Sequence, residues 1–264
     1  MPKLSIGDAE LYYEEHGSGT PVMLVPGLNG VGAFWAKQIP ALAKEFRVIV
    51  HDHRGTGQST RQVIDYSVDQ MAADSLKLMD ALKIDAAHYV GHSTGGAMGL
   101  TVAEDHPNRL KGLVLSAAWA GADPYFSRCF AARREVLYEL GWESYLRLSA
   151  TFLWPGYWIS AHERAMAAEE KKTAAAIGDP EIMLRRIDAI MRYDRRAKAG
   201  TVQAPTMIVV AADDMTTPPY LSEELARLIP GATLNVLPKG GHFAPIVEPD
   251  SYNAALTSFL KSVR

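Results

Sequence analysis

Residues 87–100 constrain this chain more than any other stretch. They read Ala-His-Tyr-Val-Gly-His-Ser-Thr-Gly-Gly-Ala-Met-Gly-Leu, a short apolar strand passing through Gly91-His92-Ser93-Thr94-Gly95 into a run of small residues suited to a tightly packed helix. A strand that turns into a helix at one residue forces that backbone into a sparsely populated conformation, and only glycine leaves room at positions 91 and 95. The Ser93 hydroxyl then stands clear of the sheet, at the positive end of the helix that follows. A bare G-x-S-x-G arises often by chance. Its setting between strand and helix is what makes Ser93 a candidate nucleophile.

The rest of the chain alternates strand and helix signals. The apolar run at 21–25 predicts a strand buried on both faces and 47–50 another buried strand; further strands are expected at 110–118, 205–212 and 233–237, with an edge strand at 11–15. Helical periods fall at about 35–44, 68–82, 220–229 and 251–263. Between Gly121 and about Gly200 the text turns helix-rich and aromatic. A helical insertion between two strands of a parallel sheet predicts a cap over the carboxyl edge, where open α/β sheets bind ligands. The organisation expected is an α/β core from 1–120 and 201–264 with a cap over 121–200, on a chain of 264 residues that can bury a large core. No linker, repeat or low-complexity tract interrupts it.

Charge and composition narrow the classes of partner. With 27 basic against 30 acidic residues the net charge is −3, and no basic stripe is available to neutralise phosphates, so nucleic acid is excluded as a partner. A lone cysteine, Cys129, cannot form an internal disulfide and fits a reducing cytoplasm. No signal-peptide pattern opens the chain, and no segment reaches the about 18 to 20 apolar residues of a membrane span. The G-x-G at Gly55 and Gly57 lacks the third glycine of a dinucleotide fingerprint. His51, Asp52 and His53 alternate faces on a strand and read as a polar turn rather than a metal site. No Cys/His spacing resembles a zinc site, and oligomeric state is left open.

A serine hydroxyl is a poor nucleophile at its own pKa and needs a base within hydrogen-bond reach, which needs an acid to hold its tautomer. His242, in Gly240-Gly241-His242 just beyond the last strand, is the best base. His16, His88, His106 and His162 have bland positions, and His92 lies inside the turn, where its ring packs or orients the loop. Asp213 and Asp214 compete for the acid after the strand at 205–212, with Asp123 a third candidate. The chain order is therefore serine, acid, histidine.

These residues, with the turn Asp52-His53-Arg54-Gly55-Thr56-Gly57-Gln58-Ser59, resemble the α/β-hydrolase superfamily across nearly the whole chain. The cap stretches Arg128-Cys129-Phe130 with Arg133, Phe152-Leu153-Trp154-Pro155 with Trp158, and Leu184-Arg185-Arg186 are similar to the aminoacrylate hydrolases of pyrimidine catabolism. The D-x-x-x-P loop of this fold selects Asp214, through its spacing to Pro218. The resemblance also implies an oxyanion hole from the backbone N–H groups of Leu28 and Thr94. It implies cofactor-free hydrolysis of a small acid with an amine leaving group, related to amidase and carbamate chemistry.

The cap supplies candidate binding residues. On a helix starting near Phe126, the residues Phe126, Phe130, Leu137 and Leu140 form one apolar face with Arg133 in its middle. A later helix buries Met183, Leu184, Ile187, Ile190 and Met191, with Arg186 at the border and Arg185 pointing away. Arg133, then Arg186, are expected to hold a substrate carboxylate unless they snorkel or pair with a cap acid. Most cap aromatics read as its core; Trp119 and Trp154 are assigned to the substrate. The reading is a Ser-His-Asp hydrolase of an amide, enamine, carbamate-like or ester bond in a carboxylated compound. A general carboxylesterase or enol-lactonase is the alternative, and a ligand-binding receptor on a hydrolase scaffold the alternative of another class.

Overall fold

The computed structural model describes residues 2–263, so Met1 and Arg264, the outermost residues of the expected core, lie outside it. Eight strands form one sheet in the order β1-β2-β4-β3-β5-β6-β7-β8. They are β1 (Lys3–Ser5), β2 (Glu10–His16), β3 (Thr20–Val25), β4 (Phe46–His51), β5 (Ala87–His92), β6 (Leu110–Ser116), β7 (Thr206–Ala211) and β8 (Thr233–Leu237). The pairs β1·β2 and β2·β4 are antiparallel and the remaining pairs parallel.

Burial on both faces explains the unbroken apolar runs. Along β3, Val22 and Leu24 enter one core while Met23 and Val25 enter the other, and β4 repeats the alternation with Val48 and Val50 against Ile49. The helices are α1 (Ile39–Leu42), α2 (Val68–Ala81), α3 (Thr94–Asp105), α4 (Pro124–Leu153), α5 (Gly156–Ile177), α6 (Glu181–Arg192), α7 (Pro219–Leu228), α8 (Ala244–Val247) and α9 (Pro249–Ser262). Helices α4 to α6 run between β6 and β7. The chain leaves and returns at one point, where Gly121 bridges Asp194 and the Arg196 guanidinium donates to Gly121 O at 2.6 Å.

Three expectations change. The strand expected at the edge is second in the sheet, because β1, three residues long and too short to show a period, pairs outside it. The helix expected over 35–44 splits into a 3₁₀ turn (Gly32–Trp35) and α1, since Pro40 has no amide hydrogen and is accommodated only in a helix's first turn. Leu140 is 65% exposed rather than part of an apolar face, because Gly141 breaks α4 with φ 75°, ψ −171° and turns the next segment aside. Among the described residues, no helix is long and apolar enough to cross a membrane.

Candidate active site

The carboxyl ends of β3, β5, β7 and β8 open toward the cap, and four loops meet there. Ser93 follows β5 directly and precedes α3, with φ 54° and ψ −118°, a conformation costly to any residue with a side chain. It is held there from both sides. Its N–H donates to Ser116 O at 2.7 Å, and its own carbonyl accepts from Gly96 N and Ala97 N at 2.8 and 3.1 Å. A Cβ at Gly91 would strike Gly95 O, and one at Gly95 would strike Val25 O, so the turn closes only with glycine at both positions.

After β8, the glycine-rich loop carries His242, whose Nδ1 lies 2.9 Å from Asp214 Oδ2. The Asp214 carboxylate is aimed by its neighbours: Oδ1 accepts from Thr216 N at 2.8 Å and Thr217 N at 2.9 Å, while Thr217 Oγ1 lies 2.9 Å from Oδ2. His242 and Asp214 are both buried. Nδ1 is the ring nitrogen that faces the Asp214 carboxylate, so an Nδ1–H donated to it would leave Nε2 as the acceptor, the form a general base requires. Asp213 has a different partner, accepting from Gly241 N at 2.8 Å and so pinning the loop that carries His242. Asp123 lies apart, capping α4 through Phe126 N at 2.8 Å and accepting from Tyr220 OH at 2.7 Å. His92 packs its ring on Phe34 and near His242, at 4.7 and 4.8 Å between centroids. Burial holds its pKa well below the usual histidine value, so it contributes a neutral wall.

Ser93 and His242 line one cavity of about 250 Å³, together with Gly27, Leu28, Phe34, Arg133, Leu153 and Phe243. Leu28 follows β3 and Thr94 opens α3. Neither backbone N–H has an intramolecular acceptor among the described residues, which leaves both free for an anionic oxygen. Thr94 is fully buried and is not among the residues that line the cavity. Among the described residues, no group of three or more His, Cys, Asp or Glu side chains could hold a metal ion.

The four candidate binding residues separate. Arg133 is 3% exposed on the cavity wall. Its Nε donates to Ser149 Oγ at 3.0 Å, one Nη to Tyr145 OH at 3.2 Å, and its guanidinium carbon lies 4.6 Å over the Phe130 ring. All these partners are neutral. Arg186, expected as the second carboxylate ligand, does not reach this cavity: it is fully buried and donates to backbone carbonyls and to His53. Its position at the border of an amphipathic face left its direction open, and the face turns it inward toward the 26–30 loop. Trp119 is also corrected, being fully buried against Phe126 at 4.5 Å, part of the packing beneath the cap. Trp154 lines a neighbouring cavity of about 410 Å³ that meets the first at Asn29, Arg133, Leu153 and Phe243.

Sequence reasoning missed Thr217, Ser149 and Tyr145. Thr217 carries a signal, since a hydroxyl three residues after an aspartate commonly closes an Asx or ST turn. Ser149 and Tyr145 carry none, because their approach to Arg133 depends on the kink at Gly141.

The fold defines an α/β hydrolase: the family model for the alpha/beta hydrolase fold matches residues 20–249, and the chain belongs to that family. Among curated relatives, "Putative carbamate hydrolase RutD" of Caulobacter sp. (strain K31) is 40% identical over 95% of both chains. Its namesake from Azorhizobium caulinodans is 38% identical over 98% of both. Among solved structures, an enol-lactonase from Burkholderia xenovorans LB400 superposes with TM-score 0.90 at 26% identity, covering 98% of this chain and 100% of its own. A malate-bound thermophilic esterase from Thermogutta terrifontis superposes with TM-score 0.86 at 27% identity, covering 97% and 94%.

Proposed function

We propose that this hydrolase cleaves a C–N bond of amide or carbamate kind in a small substrate bearing a carboxylate, with Ser93 as nucleophile. The observation that carries the carboxylate is Arg133. A buried guanidinium with only neutral partners, on the wall shared with Ser93 and His242, lacks the counter-charge that makes a buried cation tolerable. A bound carboxylate supplies it, in the planar two-pronged geometry that suits arginine. The names of the carbamate hydrolase relatives support the C–N bond, and one structural neighbour, an esterase, is described as malate-bound, malate being a carboxylated molecule.

In this reading Ser93 Oγ attacks the acyl carbon as His242 Nε2 takes its proton. The negative oxygen so formed sits between Leu28 N–H and Thr94 N–H, and Asp214 stabilises the imidazolium. Collapse breaks the C–N bond while His242 returns the proton to the departing amine. Water, deprotonated by His242, then releases the acyl group from Ser93. An ester or enol-lactone fits the same steps with an oxygen leaving group, and the enol-lactonase likeness favours that second reading.

The test uses a carboxylated activated substrate, mono-p-nitrophenyl succinate, beside its neutral methyl ester, with matching p-nitroanilides. Wild type is expected to favour the acid in kcat/KM. Arg133→Met should abolish the preference, a loss of about 30- to 5,000-fold on the acid alone if the contact is worth the 2 to 5 kcal/mol of a buried charge pair. Equal losses on acid and ester would return Arg133 to a structural role. Turnover of esters with none of anilides or carbamates would favour the second reading.

A further inference from the structure

Arg186 lies in α6, in the cap, yet its hydrogen bonds go to the core. Nε and one Nη donate to Leu28 O at 3.2 and 2.8 Å, and the other Nη donates to Arg54 O at 3.1 Å. The Nη on Leu28 also meets His53 Nδ1 at 3.0 Å. No carboxylate joins this cluster. The two loops it bridges are tied to each other as well, His53 N donating to Gly30 O at 2.7 Å and Thr56 Oγ1 to the same carbonyl at 2.8 Å. Gly30 N closes the turn on Gly27 O at 2.9 Å. The 27–30 turn is thus pinned at its ends by its own backbone and the 53–56 loop, while the carbonyl of Leu28 between them has Arg186 as its only donor among the described residues.

We infer that Arg186 is a positioning residue for the oxyanion site: the cap's buried guanidinium fixes Leu28 so that its N–H points into the Ser93 cavity. The inference rests on the reading of Ser93 and Leu28 given above. A buried carbonyl left without a donor is costly, so loss of Arg186 would let the Leu28 peptide turn toward another partner and carry the neighbouring N–H off line. Hydrogen-bond donors stabilise an oxyanion only when already aimed at it, so the effect falls on the chemical step rather than on ground-state binding. The fixed positive charge beside the loop acts in the same direction. Arg186 also makes this part of the site dependent on the seating of α6, which connects the cap to turnover without any contact with substrate.

The experiment compares Arg186→Lys and Arg186→Met with wild type, reading kcat and KM on mono-p-nitrophenyl succinate and on its neutral methyl ester, and the Kd for phenylboronic acid, whose tetrahedral adduct on serine places an anionic oxygen in the oxyanion site. Thermal melts identify any variant that fails to fold, and the lysine variant, which keeps the charge and most of the volume, decides if the methionine variant does not. Removing one oxyanion donor costs about 10²- to 10³-fold in kcat, so a misaligned one is expected to cost about 10- to 100-fold in folded Arg186→Lys. KM should stay within about twofold, and boronate affinity should fall in parallel with kcat. Partial recovery of kcat in Arg186→Ala on adding guanidinium ion is expected too. Unchanged kcat and boronate affinity in a folded variant would overturn the inference. A rise in KM confined to carboxylated substrates would also overturn it, by returning Arg186 to substrate binding. Boronate affinity equal in wild type and Ser93→Ala would instead overturn the reading of the site on which the inference stands.

Discussion

Replacing Asp214 by asparagine, with Asp213→Asn as its neighbour control, separates two adjacent carboxylates, one buried and one half-buried, with different hydrogen-bond partners. Asp214 Oδ1 accepts two backbone N–H groups, from Thr216 and Thr217, at 2.8 and 2.9 Å. In Asp214→Asn the amide oxygen must keep that place, because an NH₂ there would face two donors. The NH₂ is then directed at His242 Nδ1, 2.9 Å from the present Oδ2. His242 can accept it only by moving its own proton to Nε2, the nitrogen that must take the Ser93 proton. The wrong tautomer costs about 10⁴ in kcat, about 5.4 kcal/mol of barrier. Asp213 Oδ1 accepts only from Gly241 N at 2.8 Å, a bond that an asparagine oxygen makes equally well. Asp213→Asn should therefore stay within about tenfold of wild type, since a hydrogen bond of this kind is worth only about 0.5 to 1.5 kcal/mol. The assay is p-nitrophenyl ester turnover with melts alongside. A larger loss in Asp213→Asn, or more than a tenth of wild-type kcat in Asp214→Asn, would show that Asp214 does not set the His242 tautomer.

Two further predictions concern stability. Burial raises the Glu104 carboxyl from 4.5 to about 7, although Arg195 Nη1 lies 3.3 Å away. A folded pKa above the unfolded one means that the folded state keeps a proton the unfolded state has lost, so stability falls as pH rises from 4.5 to 7 and is level above. Glu104→Gln should remove that fall, on the order of 1 to 3 kcal/mol, giving a higher Tm than wild type at pH 8 but not at acid pH; parallel Tm curves would contradict it. Ser93 sits at φ 54°, ψ −118°, a strain that alanine keeps and glycine relieves. Ser93→Gly should thus melt no lower than Ser93→Ala, where at an ordinary position glycine would be worse by about 0.5 to 1 kcal/mol. A lower melt for the glycine variant would show that the turn stores no such strain.

The sheet was legible because strands buried on both faces are apolar along most of their length, and residues 21–25, 48–50 and 207–212 are. The turn at Ser93 was legible because the close approaches at Gly91 and Gly95 exclude every other residue. The cap was harder to read. A helical period tells which face of α6 is buried, but not that Arg186 on its border reaches the Leu28 carbonyl, since that partner is 158 residues away in sequence. Leu140 was misassigned because one period was carried through Gly141, and the same kink brings Ser149 and Tyr145 to Arg133. Trp119, assigned to the substrate, instead packs its ring on Phe126, a contact no periodicity in the sequence signals. Asp213 and Asp214 could not be separated by residue type, being adjacent and identical; only the family's loop spacing chose between them.

If Ser93 is the nucleophile, it forms the covalent bond to the acyl group. Incubating the protein with a fluorophosphonate probe and locating the adduct by peptide mass spectrometry tests it directly. One adduct per chain at Ser93 is predicted, absent in Ser93→Ala and slowed by about 10³-fold or more in His242→Ala. An unlabelled wild type that nonetheless turns over substrate, or an adduct at any other residue, would contradict the account.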